Sequence, residues 1–194
     1  MKMKRIITLI AAAVMMTIAT NSFAQMQVGA GYLHAGDQVS IGGVSAEMGL
    51  NGAYAGVSYN LPISGTIGIA PGLYYSLLSC NDDFGGFIDA KFREHFVNVP
   101  VYFNIGFNLG QSSKLFVFAG PTVQFGISST VNDINRYENS DYSRTNVLLG
   151  GGLGLNLGKI QITAGYDHGM FDLDSSDTTK RIKRYAKAGI AYLF

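Results

Sequence analysis

The feature that most constrains this chain is a two-residue alternation held over long, almost uncharged segments. Val97, Val99, Val101, Phe103, Ile105, Phe107 and Leu109 share one parity, and Phe96, Asn98, Pro100, Tyr102, Asn104, Gly106 and Asn108 share the other. The next segment repeats it, with Leu115, Val117, Ala119, Pro121, Val123, Phe125 and Ile127 opposite Phe116, Phe118, Gly120, Thr122, Gln124, Gly126 and Ser128. Side chains of a strand point alternately to its two faces, so this pattern predicts strands with one apolar face. The same rule predicts eight strands, at roughly 26–35, 46–60, 65–79, 93–109, 114–129, 144–157, 159–172 and 181–194. Their connections alternate: Leu61–Ser64, Gly110–Ser113 and Gly158 are short, while Gly36–Ser45, Cys80–Phe92, Thr130–Ser143 and Leu173–Lys180 are long.

The charge distribution decides what the apolar face meets. Met48 to Asn81 carries no Asp, Glu, Lys or Arg, Thr145 to Gly158 carries none, and Phe96 to Asn132 carries only Lys114. A soluble barrel needs a charged outer face, and these strands offer none. Apolar residues toward lipid and Gly, Asn, Thr, Gln and Ser toward a lumen is the arrangement that remains. Closure pairs every backbone polar group, as lipid requires. Val97 to Leu109 spans twelve steps of ~3.3 Å, which at a tilt of about 40° rises roughly 30 Å, enough for the ~25 Å apolar band. The predicted fold is therefore an all-β, eight-stranded antiparallel up-and-down transmembrane barrel. Tyr59, Phe107 and Tyr192 fall near its short-turn end, where an aromatic girdle belongs.

The first 24 residues stand apart. Lys2, Lys4 and Arg5 precede an apolar run from Ile6 to Ala19, and Ser22-Phe23-Ala24 has small residues at the spacing of a cleavage site. This reads as a cleaved signal peptide, with the barrel domain over 25–194. Without it the 14 basic residues fall to 11, against 13 acidic ones. That balance, with no basic stripe, argues against nucleic acid as a partner. The 23 Tyr and Phe residues and 14% charge argue against disorder. Cys80 is the single cysteine, so no internal disulfide is available.

Several segments in order resemble the Bacteroidetes outer-membrane β-barrel domain family, labelled porin-family or PorT-like and built as small OmpX-type barrels. They are Pro71-Gly72-Leu73-Tyr74-Tyr75-Ser76, Val97-Asn98-Val99-Pro100-Val101-Tyr102, Phe118-Ala119-Gly120-Pro121 and Gly150-Gly151-Gly152-Leu153-Gly154-Leu155. The seventh strand departs from the family, which often has an Arg-Tyr pair where this chain reads Gly165-Tyr166-Asp167-His168. The resemblance implies residence in the outer membrane of a Gram-negative bacterium, among its lipids and lipopolysaccharide, and no agreed activity. The terminal alternation Ile190, Tyr192, Phe194 resembles the strand signal read by the barrel-assembly machinery.

Inward Tyr54, Tyr74, Tyr102, Phe116, Phe118 and Tyr185 would fill a barrel of this size, so no wide pore is expected. Asp167, Lys183 and Lys187 all face inward and form a candidate ion pair, with Asp167 counted to lie level with about Tyr185. The polar loop 130–143 offers a candidate contact surface in Arg136, Tyr137, Tyr142 and Arg144. Asp172, Asp174 and Asp177 form a weak oxygen-ligand pattern without the glycine and distal Glu of a calcium loop. His34, His95 and His168 are expected at the rim, and Asp167 cannot readily orient its neighbour His168. No nucleophile, phosphate-loop, zinc or cofactor motif accompanies them. The expected role is surface interaction, envelope integrity or membership of an outer-membrane complex. A narrow channel is the alternative, and a lipid-modifying enzyme at the rim the more distant one.

Overall fold

The computed structural model describes residues 25–41, 44–83, 89–132, 134–135, 137, 143–173 and 179–194. The proposed signal peptide lies outside them. The strands are β1 (Gln25–Ile41), β2 (Val44–Ser64), β3 (Ile67–Asp83), β4 (Asp89–Asn108), β5 (Ser113–Val131), β6 (Ile134–Asn135), β7 (Thr145–Leu157), β8 (Ile160–Gly169) and β9 (Thr179–Leu193). Every strand pairs antiparallel with its neighbour. β9 pairs back onto β1 from Gln27↔Leu193 to Ile41↔Thr179, which closes an eight-stranded barrel. β6 is a two-residue extension paired with the far end of β5.

The alternation maps onto the two faces of this barrel. Phe103, Leu153 and Ile190 are more than half exposed on the outside, while Phe116, Phe118 and Tyr185 are buried inside. Glycines on β7 face these rings directly, Phe118 against Gly152 and Phe116 against Gly154. A Cβ at Gly152 would lie 2.7 Å from Phe118 Cζ, so the small residues are the space the aromatic rings occupy.

Several boundaries differ from the sequence expectation, and the expected loop Cys80–Phe92 is largely strand, with β3 running to Asp83 and β4 starting at Asp89. The stretch predicted as a long loop, Gly36–Ser45, is strand: β1 and β2 stay paired to Ile41↔Val44. The reason is that Leu33, Ala35 and Asp37 continue the inward parity, and Asp37 finds cations inside the barrel. β2 runs through Pro62 with a bulge before Ser64, so the first short turn is Gly65-Thr66. β8 stops at Gly169 rather than 172. A further bulge in the β4–β5 ladder, where His95↔Ser128 is followed by Phe96↔Gly126, shifts the parity of β5. Ser129, not Ser128, therefore turns into the lumen, where it is fully buried. At the short-turn end Gly158 takes φ +59°, the left-handed conformation that a two-residue hairpin turn requires.

Candidate functional site: the barrel lumen

The lumen is built in three levels. At the loop end, a buried charge cluster joins four strands. The Arg181 guanidinium on β9 donates from Nε to both oxygens of Asp37 on β1, at 2.8 and 3.0 Å, and from a terminal nitrogen to the same carboxylate. Lys183 Nζ, two residues on, lies 2.5 Å from Glu94 Oε2 on β4 and 3.9 Å from Asp37 Oδ2. Ser129 Oγ, placed by the β5 bulge, donates to Glu94 Oε1 at 3.1 Å. The ammonium also stands 5.2 Å from the centre of the Phe96 ring. Among the described residues two carboxylates face two cations, so their charges balance, the condition under which such buried charges are tolerated.

Below it Leu33, Leu50, Leu78, Phe96, Leu148 and Tyr185 form a continuous apolar layer, against which Cys80 packs. A hydrogen-bonded belt crosses the barrel at its lower edge. Tyr185 Oη donates to Gln124 Oε1 at 2.9 Å, Gln124 Nε2 to Asn98 Oδ1 at 2.9 Å, and Asn98 Nδ2 to Ser76 Oγ at 2.7 Å. The layer and the belt together leave the loop end stoppered.

The third level holds the second ion pair. Lys187 Nζ donates to Asp167 Oδ2 at 2.5 Å and to Tyr102 Oη at 2.6 Å, and Tyr102 reaches Thr122 at 3.0 Å. Asp167 pairs in register with Tyr185, as counted from the sequence. The structure thus brings Asp167 and Lys187 together and places Lys183 elsewhere, with Glu94 and Asp37. The sequence reading missed Asp37, Glu94 and Arg181. Glu94 and Arg181 each sit two residues from a recognised inward position (Phe96 and Lys183), and following the parity outward would have found them; Asp37 fell in a stretch read as loop.

The remaining candidates fall outside the lumen. Tyr137 is buried rather than presented: it packs on Leu173, lies over Gly126, and carries the Arg144 guanidinium 5.0 Å from its ring centre. Its expected part in an open contact surface is corrected accordingly, because its ring anchors the chain to the barrel wall. Arg144 is exposed; Arg136 and Tyr142 lie outside the described residues. Asp172 accepts the Arg181 backbone N–H at 2.8 Å, and Asp174 and Asp177 also lie outside the described residues. The described residues contain no metal-holding cluster of three His, Cys, Asp or Glu.

His34, His95 and His168 are all on the outer surface near the loop side. His34 Nδ1 lies 2.8 Å from Asn51 Oδ1, which also accepts from Tyr32 Oη at 2.5 Å. His95 pairs with Tyr75. Asp167 points into the lumen and His168 away from it, so the two do not form an acid–base pair. Ile190, Tyr192 and Phe194 are exposed on the outer face of β9 and the residue after it.

An outer face fit for lipid, a lumen that holds the charges, and closure of β9 on β1 are the marks of a bacterial outer-membrane barrel. The family model described as outer membrane protein beta-barrel domain matches residues 20–175. The chain belongs to that family. It resides in the outer membrane. No curated protein matches it. Among solved structures, Neisserial surface protein A matches with a TM-score of 0.51 at 16% identity, covering 88% of this chain and 97% of that one. Ail, the attachment invasion locus protein of Yersinia pestis, matches at 0.49 and 14%, covering 88% and 99%. The outer membrane enzyme PagL matches at 0.46 and 14%, covering 82% and 98%. At such identities the Neisserial likeness speaks for the shared fold alone.

Proposed function

We propose that this barrel works at the cell surface, as a stoppered support for projecting hairpins and loops that contact a surface or outer-membrane partner. The observation that carries the reading is the sealed loop end, where the apolar layer and the balanced charge cluster fill the cross-section. Short turns face the periplasm and long connections the exterior in barrels of this type. The 21 residues of β2 rise roughly 50 Å at ~3.3 Å each and a tilt of about 40°, about twice the ~25 Å apolar band. The upper parts of β1 and β2 therefore stand beyond the membrane as a paired ribbon. His34 and His95, with Tyr32 and Tyr75, lie where that ribbon leaves the lipid, at the level of lipopolysaccharide headgroups.

The reading includes a cleaved leader over 1–24, insertion by the assembly machinery through the Ile190, Tyr192, Phe194 face, and a place among the PorT-like barrels of Bacteroidetes. The order of the sequence motifs supports that last assignment. A role other than catalysis fits the rim, where His168 and Asp167 face apart.

The test is refolding into detergent, comparison of gel mobility before and after boiling, and single-channel recording of the same sample. A heat-modifiable band with a silent bilayer is expected. Discrete openings of nanosiemens size would overturn the stoppered lumen and favour the channel reading. Replacing residues 133–142 by a short Gly-Ser turn should leave the band unchanged and abolish partner capture at the surface. Altered lipid A in an overexpressing strain would instead indicate a lipid-modifying enzyme.

A further inference from the structure

The lower half of the lumen is not filled. Beneath the Tyr185 belt lies a cavity of about 140 Å³, bounded above by Leu33, Leu148 and the Lys187–Asp167 pair. A water takes ~30 Å³ in the liquid, so the space holds about five waters, or one small ligand of comparable volume. Packed interiors leave few voids larger than a single water. The cavity reaches the short-turn end: Lys114 and Asn156 line both it and a polar depression at the rim beside Gln111, Ser112 and Gly158.

The wall chemistry is specific. Near the mouth it is carboxamide, with Asn60, Asn104, Asn156 and Gln161. Deeper in, Tyr54, Tyr74, Phe116 and Phe118 supply ring faces and edges. Lys114 is the cation at the mouth. Its side chain folds inward across Gly106, where any Cβ would overlap it. The other two lumen lysines each have a carboxylate, Lys183 with Glu94 and Lys187 with Asp167, whereas Lys114 has no acidic partner among the described residues. Gln27 also lines the cavity and is 6% exposed, but its Oε1, which has no hydrogen-bond donor among the described residues, presents almost no surface that a hydroxyl could reach, so it is a cost of the wall and not a ligand contact.

We propose that the lumen is a blind binding pocket, open to the periplasm, for a small hydroxylated carboxylate of about three carbons. The carboxylate is held by the Lys114 ammonium and its carboxamide neighbours. The body lies against the rings, and its hydroxyls meet the carboxamides of the wall. This goes beyond the surface role proposed above and shares with it only the sealed loop end.

The test is calorimetric titration of the refolded chain in detergent with D-glycerate, and with glycerol as the neutral counterpart. Glycerate should bind, and glycerol at least about tenfold more weakly, a difference of ~1.4 kcal/mol. Lys114→Gln should lose at least about tenfold, and Lys114→Arg should recover most of it. Unchanged boiled and unboiled mobility shows that each variant is folded. Absence of binding by the folded wild type up to about 10 mM, or equal affinity of Lys114→Gln and wild type, would overturn the proposal. A silent bilayer with glycerate bound would support both proposals; channel openings would remove the sealed loop end and with it both the surface reading and the blind pocket, whereas loss of the Lys114 effect in a silent barrel would remove the pocket alone.

Discussion

Replacing Lys183 by methionine tests the loop-end cluster most directly. The side chain is fully buried, with Glu94 at 2.5 Å and Asp37 at 3.9 Å. At an effective dielectric constant near 20 these contacts carry gross attractions of about 7 and about 4 kcal/mol. Most of that offsets the cost of drying three charges, so the pair adds little over an apolar substitute. Removing only the cation is different. Arg181 still neutralises Asp37, but Glu94 keeps a buried charge with Ser129 as its one remaining neutral donor in that cluster. Such a loss costs about 3–5 kcal/mol. Urea unfolding of the barrel in lipid vesicles, followed by tyrosine fluorescence and gel mobility, should shift its midpoint down by roughly 2 M at a slope of about 2 kcal/mol per molar. Adding Glu94→Gln to Lys183→Met should restore at least half of the loss, since the double variant leaves no orphaned charge. A single-variant loss below about 1 kcal/mol would refute the reasoning, because it would mean that water already reaches Glu94 and the loop end is not sealed.

Four other changes probe the remaining levels. Tyr102→Phe removes the hydroxyl that accepts from Lys187 and reaches Thr122, and should cost about 1–3 kcal/mol in the same assay. Gly152→Val drives a side chain into Phe118 and the Gly165 backbone, and should lower stability by about 1–3 kcal/mol with a lower melting temperature of the compact gel band. Leu153→Arg places a charge on the lipid face of β7, where it should cost about 2–4 kcal/mol in vesicles. Tyr137→Ala should speed proteolytic cleavage between residues 133 and 142 and leave the barrel's own unfolding midpoint nearly unchanged, because the ring anchors a connection rather than a barrel strand.

The fold was legible because its cause is local. A strand in lipid must be apolar on one face along its whole length, so Val97 to Leu109 and Leu115 to Ile127 declare both strand and orientation without any partner. The inward tyrosines and phenylalanines, and the level of Asp167 opposite Tyr185, follow from the same parity and one hairpin count. Element ends were less legible. Asp37 looks like a loop residue because charge in a transmembrane strand is costly, and only the position of Arg181, 144 residues away in sequence, makes strand the better state. Tyr137 likewise looked available for contact until Leu173 and Arg144 were seen to cover it.

The sequence by itself determined that this chain closes into an eight-stranded barrel, which residues meet lipid, and which line the lumen. It does so because alternation and the exclusion of charge are properties of each strand alone. Only the tertiary structure decided which buried charges meet, where the lumen is stoppered, and that Lys114 and Gln27 face one cavity. Those facts depend on register and shear between strands far apart in the chain, and on one extra residue at the β5 bulge that turns Ser129 inward to Glu94.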